Sequence, residues 1–147
     1  MIEVRVQPED FDVGRELDRL AAGDTDVGAV VSFTGLVRGG ATTAMTLEHY
    51  PAMTEKEITE IAREAEARWP IAEGLVIHRH GRLEPGDRIV LVAIASKHRA
   101  AAFEAAQFLM DWLKTRAPFW KSEASADGPR WVAANEADET AAARWKK

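Results

Sequence analysis

The chain has 147 residues, 46% of them hydrophobic, enough for one well-buried core, and no Gly/Ser/Pro-rich linker divides it. Its formal net charge of -5 argues against a general binder of nucleic acid or of an anionic membrane surface. It contains no cysteine, which excludes disulfides, thiolate metal sites and a cysteine nucleophile.

Met1 to Asp10 is charged and lacks an apolar signal core, and no apolar run approaches the ~20 residues of a membrane span. A single cytoplasmic domain over residues 1–147 is expected. Ile2 to Val6 alternates apolar and polar residues, as a half-buried strand does. Asp12 can cap a short helix through Leu17, Leu20 and Ala21 that ends at Gly23. Ala29 to Gly35 is a β-rich run expected as a central strand, and it delivers Arg38 at its end. Gly39 to Thr43 is small, polar and flexible, a natural loop over a ligand, and a second strand follows from Met45 to Tyr50.

Thr54 and Glu57 have the spacing of a capping box, opening a helix with an apolar stripe through Ile58, Ile61, Ala65 and Trp69 and a stop at Pro70. Leu75 to Leu83 and Arg88 to Ser96 flank Glu84-Pro85-Gly86-Asp87, whose Pro and Gly suit the centre of a type II turn, so a hairpin is expected. Val90, Val92 and Ile94 share one face of its second strand. His78 and His80 face the same side of the first, but no third ligand is near in sequence, so no metal is assigned.

Ser96 to Thr115 reads as one helix whose core stripe is Phe103, Ala106, Met110 and Leu113, flanked by Ala102 and Leu109. Pro118 has no amide hydrogen and pushes Ala117 out of helical space, so the helix stops near Thr115 or Arg116 with Lys114 in its last turn. A lysine there complements the negative end of the helix dipole. Lys97, His98 and Arg99 at the other end do the reverse, and three basic residues beside free amide hydrogens suit a phosphate or carboxylate. The stretch Lys114 to Lys121 sets two lysines and an arginine around an apolar turn. With tryptophans at 112, 120 and 131 it also suits a flat, anionic heterocycle.

Ser122 to Ala124 and Arg130 to Ala133 suggest a short hairpin across Asp127-Gly128-Pro129, and Glu136 to Trp145 a terminal helix. GxGxxG, P-loop, GxSxG and HExxH patterns are absent. The expected class is α+β, with mixed or mainly antiparallel strands and packed helices.

Several ordered stretches together resemble the large, catalytic subunit of molybdopterin synthase, the MoaE family. They are Phe33 to Arg38, Leu47 to Met53, Ile77-His78-Arg79 with Pro85-Gly86-Asp87, Ser96 to Ala100, and above all Phe108 to Lys121. The resemblance implies an α/β hammerhead-type fold and a homodimer at the centre of a heterotetramer. It implies a small ubiquitin-like partner whose C-terminal Gly-Gly tail carries sulfur as a thiocarboxylate. Two such sulfurs convert cyclic pyranopterin monophosphate into the dithiolene of molybdopterin, with no further cofactor. Sulfur that arrives on a partner accounts for a chain without cysteine.

By the same resemblance Lys114 and Lys121 match the active-site lysines. Arg38, His98 and Arg99 match anion and substrate positions, and Phe33, Met110 and Pro118 match pocket walls. Some relatives carry an arginine where this chain has Asn135, a residue that helps build the neighbouring subunit's pocket; Arg130 or Arg144 could take its place, though no sequence feature assigns either. Arginine suits a phosphate because its planar fork grips two oxygens. Lysine suits proton transfer and acyl charge, its pKa lowered when like charges such as Arg116 crowd it. A non-catalytic binder of an anionic heterocycle uses the same residues without proton transfer, whereas a purely structural interaction subunit would gain no stability from a ligand.

Overall fold

The structure is a computed structural model that describes residues 1–39, 42–49, 51–116, 119–125, 130–132 and 136–145. The first sheet has the order β1-β4-β6-β2, from β1 (Ile2–Gln7), β2 (Ala29–Leu36), β4 (Glu73–Arg79) and β6 (Arg88–Ser96). β1 runs parallel to β4, and the other two pairings are antiparallel. The second sheet, β5-β3-β7-β8, is antiparallel throughout and uses β3 (Thr42–His49), β5 (Gly81–Leu83), β7 (Phe119–Ser125) and β8 (Arg130–Val132). With helices α1 (Val13–Leu20), α2 (Pro51–Arg68), α3 (Arg99–Thr115) and α4 (Glu136–Ala143), the class is α+β with one mixed and one antiparallel sheet.

Strand periodicity builds two cores on the two faces of the first sheet. Val76, Val90, Val92 and Ile94 point to one face and pack with Ile58, Ile61 and Ala65 of α2 and Ala102, Ala105 and Leu109 of α3. Leu75, Ile77, Leu91 and Ala93 point to the other, where Phe11 and α1 cover them through Val13, Leu17 and Leu20. Asp12 caps α1 as its sequence suggests, its side chain accepting from the Arg15 amide at 3.0 Å. A third, small core of Val37, Leu47 and Leu83, with Ile89, joins the two sheets.

Several expectations change. β2 is an edge strand, paired only with β6 among the described residues, because β4 occupies the other side of β6. The run from Leu75 to Leu83 is two strands: Gly81, at φ +91, takes a backbone conformation that lets the chain leave β4 and pair β5 with β3. β3 begins at Thr42, so only residues 37–41 separate it from β2. α2 begins at Pro51, a residue preorganised for the first helical position, and Thr54 is buried inside its first turns rather than capping it. α3 begins at Arg99 rather than Ser96, since Ser96 is the last residue of β6.

The hairpin turn holds. Asp87 donates its amide to the Glu84 carbonyl at 2.9 Å with Gly86 at φ +92. The Pro118 turn and Asn135 lie outside the described residues, and Phe119 to Lys121 belong to a strand rather than a turn. α4 ends at Ala143, and Trp145 beyond it stacks edge-on against Trp69 and Phe108 while donating to Asp111 at 2.6 Å.

Charge guards one edge of the first sheet. Arg63 and Glu66 of α2 bind the Ile2 carbonyl (3.2 Å) and amide (2.6 Å) at the start of β1, as edge strands are commonly protected. Further along β1, Arg5 donates twice to Glu16 of α1, at 2.9 and 3.1 Å, which holds the Glu16 carboxyl below its ordinary value of 4.5 despite burial. A carboxyl depressed in the folded state adds stability that is present above its unfolded value and lost as pH falls through the folded one. Glu16→Gln should therefore destabilise the protein at neutral pH, and the gap to wild type should close in acid. Thermal melts from neutral pH downwards check this; a gap that does not change with pH assigns the effect to packing instead.

Candidate active site

The link from β6 to α3 is only Lys97 and His98. α3 packs back over β6 and β2, burying Ala102, Ala105, Ala106, Phe108, Leu109 and Leu113, so it runs antiparallel to β6. β2 is antiparallel to β6 as well. The C-terminal end of α3 and the C-terminal end of β2 therefore lie at the same end of the molecule. Lys114, exposed in the last turn of α3, and Arg38, exposed just past β2, come to that end together.

Arg38 is placed by its neighbour. Val37 is 2% exposed, donates its amide to Asp87 (2.9 Å) and accepts from the Gly86 amide (2.8 Å). The turn at Glu84 to Asp87 thus fixes the chain where Arg38 emerges. Phe33 stands opposite Val92, on the face of the sheet that α3 covers, and remains 43% exposed. Met110 is partly buried one turn before Lys114. Both apolar residues accompany the Arg38 and Lys114 end.

His98 and Arg99 do not. His98 is the N-cap of α3 with extended backbone and makes no side-chain cap hydrogen bond; Arg99 is the first helical residue. Beside them, Gly28 donates to the Ser96 carbonyl at 3.0 Å and Ala29 pairs with Ser96, so they stand at the start of β2. Arg99 and Lys114 are the two ends of a helix and about 22 Å apart along its axis at ~1.5 Å per residue. One copy of the chain cannot close both around a single phosphate.

The electrostatics separate two groups of cations. Arg5, Arg63, Arg79, Arg88 and Arg116 all reach carboxylates. Among the described residues, Arg38, Lys97, His98, Arg99 and Lys114 make no ion pair, although the chain holds more acids than bases. Unpaired, exposed cations at two ends of a structure with surplus acid suit an anion that is not part of the chain.

Arg116 departs from its expected role. Its guanidinium binds Glu64 at 3.0 Å and Glu57 at 3.3 Å and lies 5.2 Å from the centre of the Trp112 ring. Two carboxylates offset its charge, so it supplies no like-charge crowding to Lys114. The sequence held a signal for this: Glu57 and Glu64, seven positions apart on α2, share one helix face. Arg144 lies 3.6 Å from Asp111 and is bonded to the Ala141 carbonyl, with its side chain 54% exposed. The Lys121 backbone is in β7 opposite Leu47, while Pro118 lies outside the described residues.

His78 lies at the end of β4, and His80 lies past it, where the chain turns away towards β5. Among the described residues no three His, Asp or Glu side chains converge as a metal site requires, and no helix is long and apolar enough to cross a membrane.

Comparison with known proteins agrees with this arrangement over most of the chain. The pattern of the family described as MoaE protein matches residues 6–116. A molybdopterin synthase catalytic subunit of Mesorhizobium japonicum is 59% identical over 147 residues, covering 97% of this chain and 92% of the relative. The corresponding subunit of Escherichia coli is 56% identical, covering 97% of each. Among solved structures, a molybdopterin biosynthesis MoaE protein of Burkholderia ambifaria superposes with a TM-score of 0.85 at 49% identity, covering 99% of this chain and 98% of that one. With a matching pattern, relatives of nearly equal length and a shared fold, the chain belongs to the MoaE family.

Proposed function

We propose that this chain is the catalytic subunit of a molybdopterin synthase, a cytoplasmic sulfurtransferase acting as a single domain. It moves sulfur from the C-terminal thiocarboxylate of a small ubiquitin-like partner to cyclic pyranopterin monophosphate. The observation that carries the reading is the pair of unpaired cations, Arg38 and Lys114, brought to one end of the molecule by β2 and α3 in a chain 59% identical to such a subunit.

In this reading Arg38 grips the substrate phosphate, a charge-assisted contact worth roughly 1.5–3 kcal/mol. Lys114 is the acid/base group, carried on a helix whose buried face holds it rigid, and Lys121 supports it by holding the thiocarboxylate or the phosphate. Phe33, Met110 and Pro118 wall the flat ring. The sulfur never resides on this subunit, in keeping with a chain that has no cysteine.

Two copies complete the site. The outer edge of β2 is unpaired among the described residues, and Val30, Phe33 and Leu36 along it, with Phe103 on α3, are 40%, 43%, 56% and 60% exposed. Such an edge favours a second strand. Antiparallel pairing of β2 with its copy about a two-fold axis sets the start of one strand beside the end of the other. His98 and Arg99 of one subunit then face Arg38 and Lys114 of its partner, which removes the separation of about 22 Å along α3.

Lys114→Ala should nearly abolish turnover without unfolding the protein, and Lys114→Arg should not rescue it, since arginine keeps its charge near neutral pH and gives up no proton. Single-turnover formation of molybdopterin with saturating partner checks this. Near-normal rates for Lys114→Arg would reduce Lys114 to a fixed positive charge.

A mixture of Lys114→Ala and Arg99→Ala subunits tests the shared site. Each variant alone should be inactive. Co-expressed in equal amounts, they should regain about a quarter of wild-type turnover, because half the dimers are mixed and each mixed dimer holds one intact site. No recovery, with mixed dimers demonstrably present, would mean that each subunit works alone.

A further inference from the structure

The last turn of α3 is tied to α2 by a single side chain. Arg116, the C-cap residue, donates its own amide to the Trp112 carbonyl at 2.7 Å, and its guanidinium spans Glu57 and Glu64, two turns apart on α2, while lying over the Trp112 ring. We propose that Arg116, with Glu57 and Glu64, is a positioning residue of the synthase: it braces the point where α3 ends and the chain leaves for β7, and so sets Lys114 and Lys121 relative to each other. The proposal rests on the reading of those two lysines given above.

The geometry favours positioning over contact with substrate. Arg116 follows Lys114 by two positions, about 200° around a helix at 3.6 residues per turn, so the two side chains leave α3 on roughly opposite sides. Its charge is already opposed by two carboxylates, leaving none for a phosphate. The brace also acts at the end of α3. The last four carbonyls of a helix lack intrahelical partners, and in the last turn the core packing comes from Leu113 and the partly buried Trp112 that Arg116 covers. A lysine could replace the charge but not this geometry, because the guanidinium sends one nitrogen to Glu64 and another to Glu57 while its carbon lies over the Trp112 ring.

The test compares Arg116→Lys, Arg116→Ala and the double variant Glu57→Gln/Glu64→Gln with wild type in the reconstituted synthase, with the thiocarboxylated partner saturating and the pterin phosphate varied. For Arg116→Lys and for the double variant, kcat should fall about tenfold or more while KM stays near wild type, since a misplacement of ~1 Å can cost about 10²-fold. Hydrogen exchange at the amides of residues 113–116 should accelerate in the same variants, a readout that needs no turnover. Unchanged kcat in Arg116→Lys, a loss confined to KM, or a lowered Tm with kcat intact would each overturn the proposal. If wild type itself forms no dithiolene, the proposed function fails instead, and exchange decides the brace: unchanged protection in Glu57→Gln/Glu64→Gln overturns it.

Discussion

β6 is the constraint on which the rest of the molecule depends. It is buried without interruption from Val90 to Ser96, hydrogen-bonded on both sides by β4 and β2, and its alternate residues feed the cores on both faces. Its end is pinned as well: the Ser96 hydroxyl donates to the Pro70 carbonyl at 2.7 Å, tying the strand to the exit of α2. A strand so enclosed leaves α3 a two-residue link and one face to cover. α3 must double back, and that reversal sends Arg99 and Lys114 to opposite ends of the protein.

Charge follows from that architecture. Most arginines of this acid-rich chain are used internally, as Arg5 is against Glu16 and Arg116 against Glu57 and Glu64. An exposed ion pair contributes only about 0–1 kcal/mol, so leaving the exposed Arg38, His98, Arg99 and Lys114 without one among the described residues costs folding little. In the proposed function this helps binding, because a phosphate would meet cations that need not first give up a partner. In that reading both ends of α3 contribute, its N-terminus through free amides and basic side chains and its C-terminus through Lys114.

Part of this was legible along the chain because it depends on neighbours in sequence. The Asp12 cap, the Pro85-Gly86 turn, the alternation of Val90, Val92 and Ile94 and the end of α3 near Thr115 each rest on a few adjacent residues, and each is found where the local chemistry puts it. The buried stripe of α3 largely follows its sequence spacing. Ala102, Ala106, Leu109 and Leu113 are buried, but Phe103 is 60% exposed, because the core lies on the Ala105 and Phe108 side where α2 and Trp145 pack.

The sequence by itself therefore determined the elements, the α+β class, a chemistry of cations and aromatics without thiols, and, through long ordered motifs, the family. Tertiary structure alone decided which strand is an edge, where the chain changes sheets at Gly81, which arginines are spent on carboxylates, and that the two basic ends of α3 are held apart. Those depend on contacts between residues distant in sequence: β2 is an edge because β4 takes the far side of β6, and Arg116 is neutralised by acids some fifty to sixty positions away on α2. Local periodicity carries no record of such pairings, since the same stretch of residues could face a neighbouring strand, a helix or water.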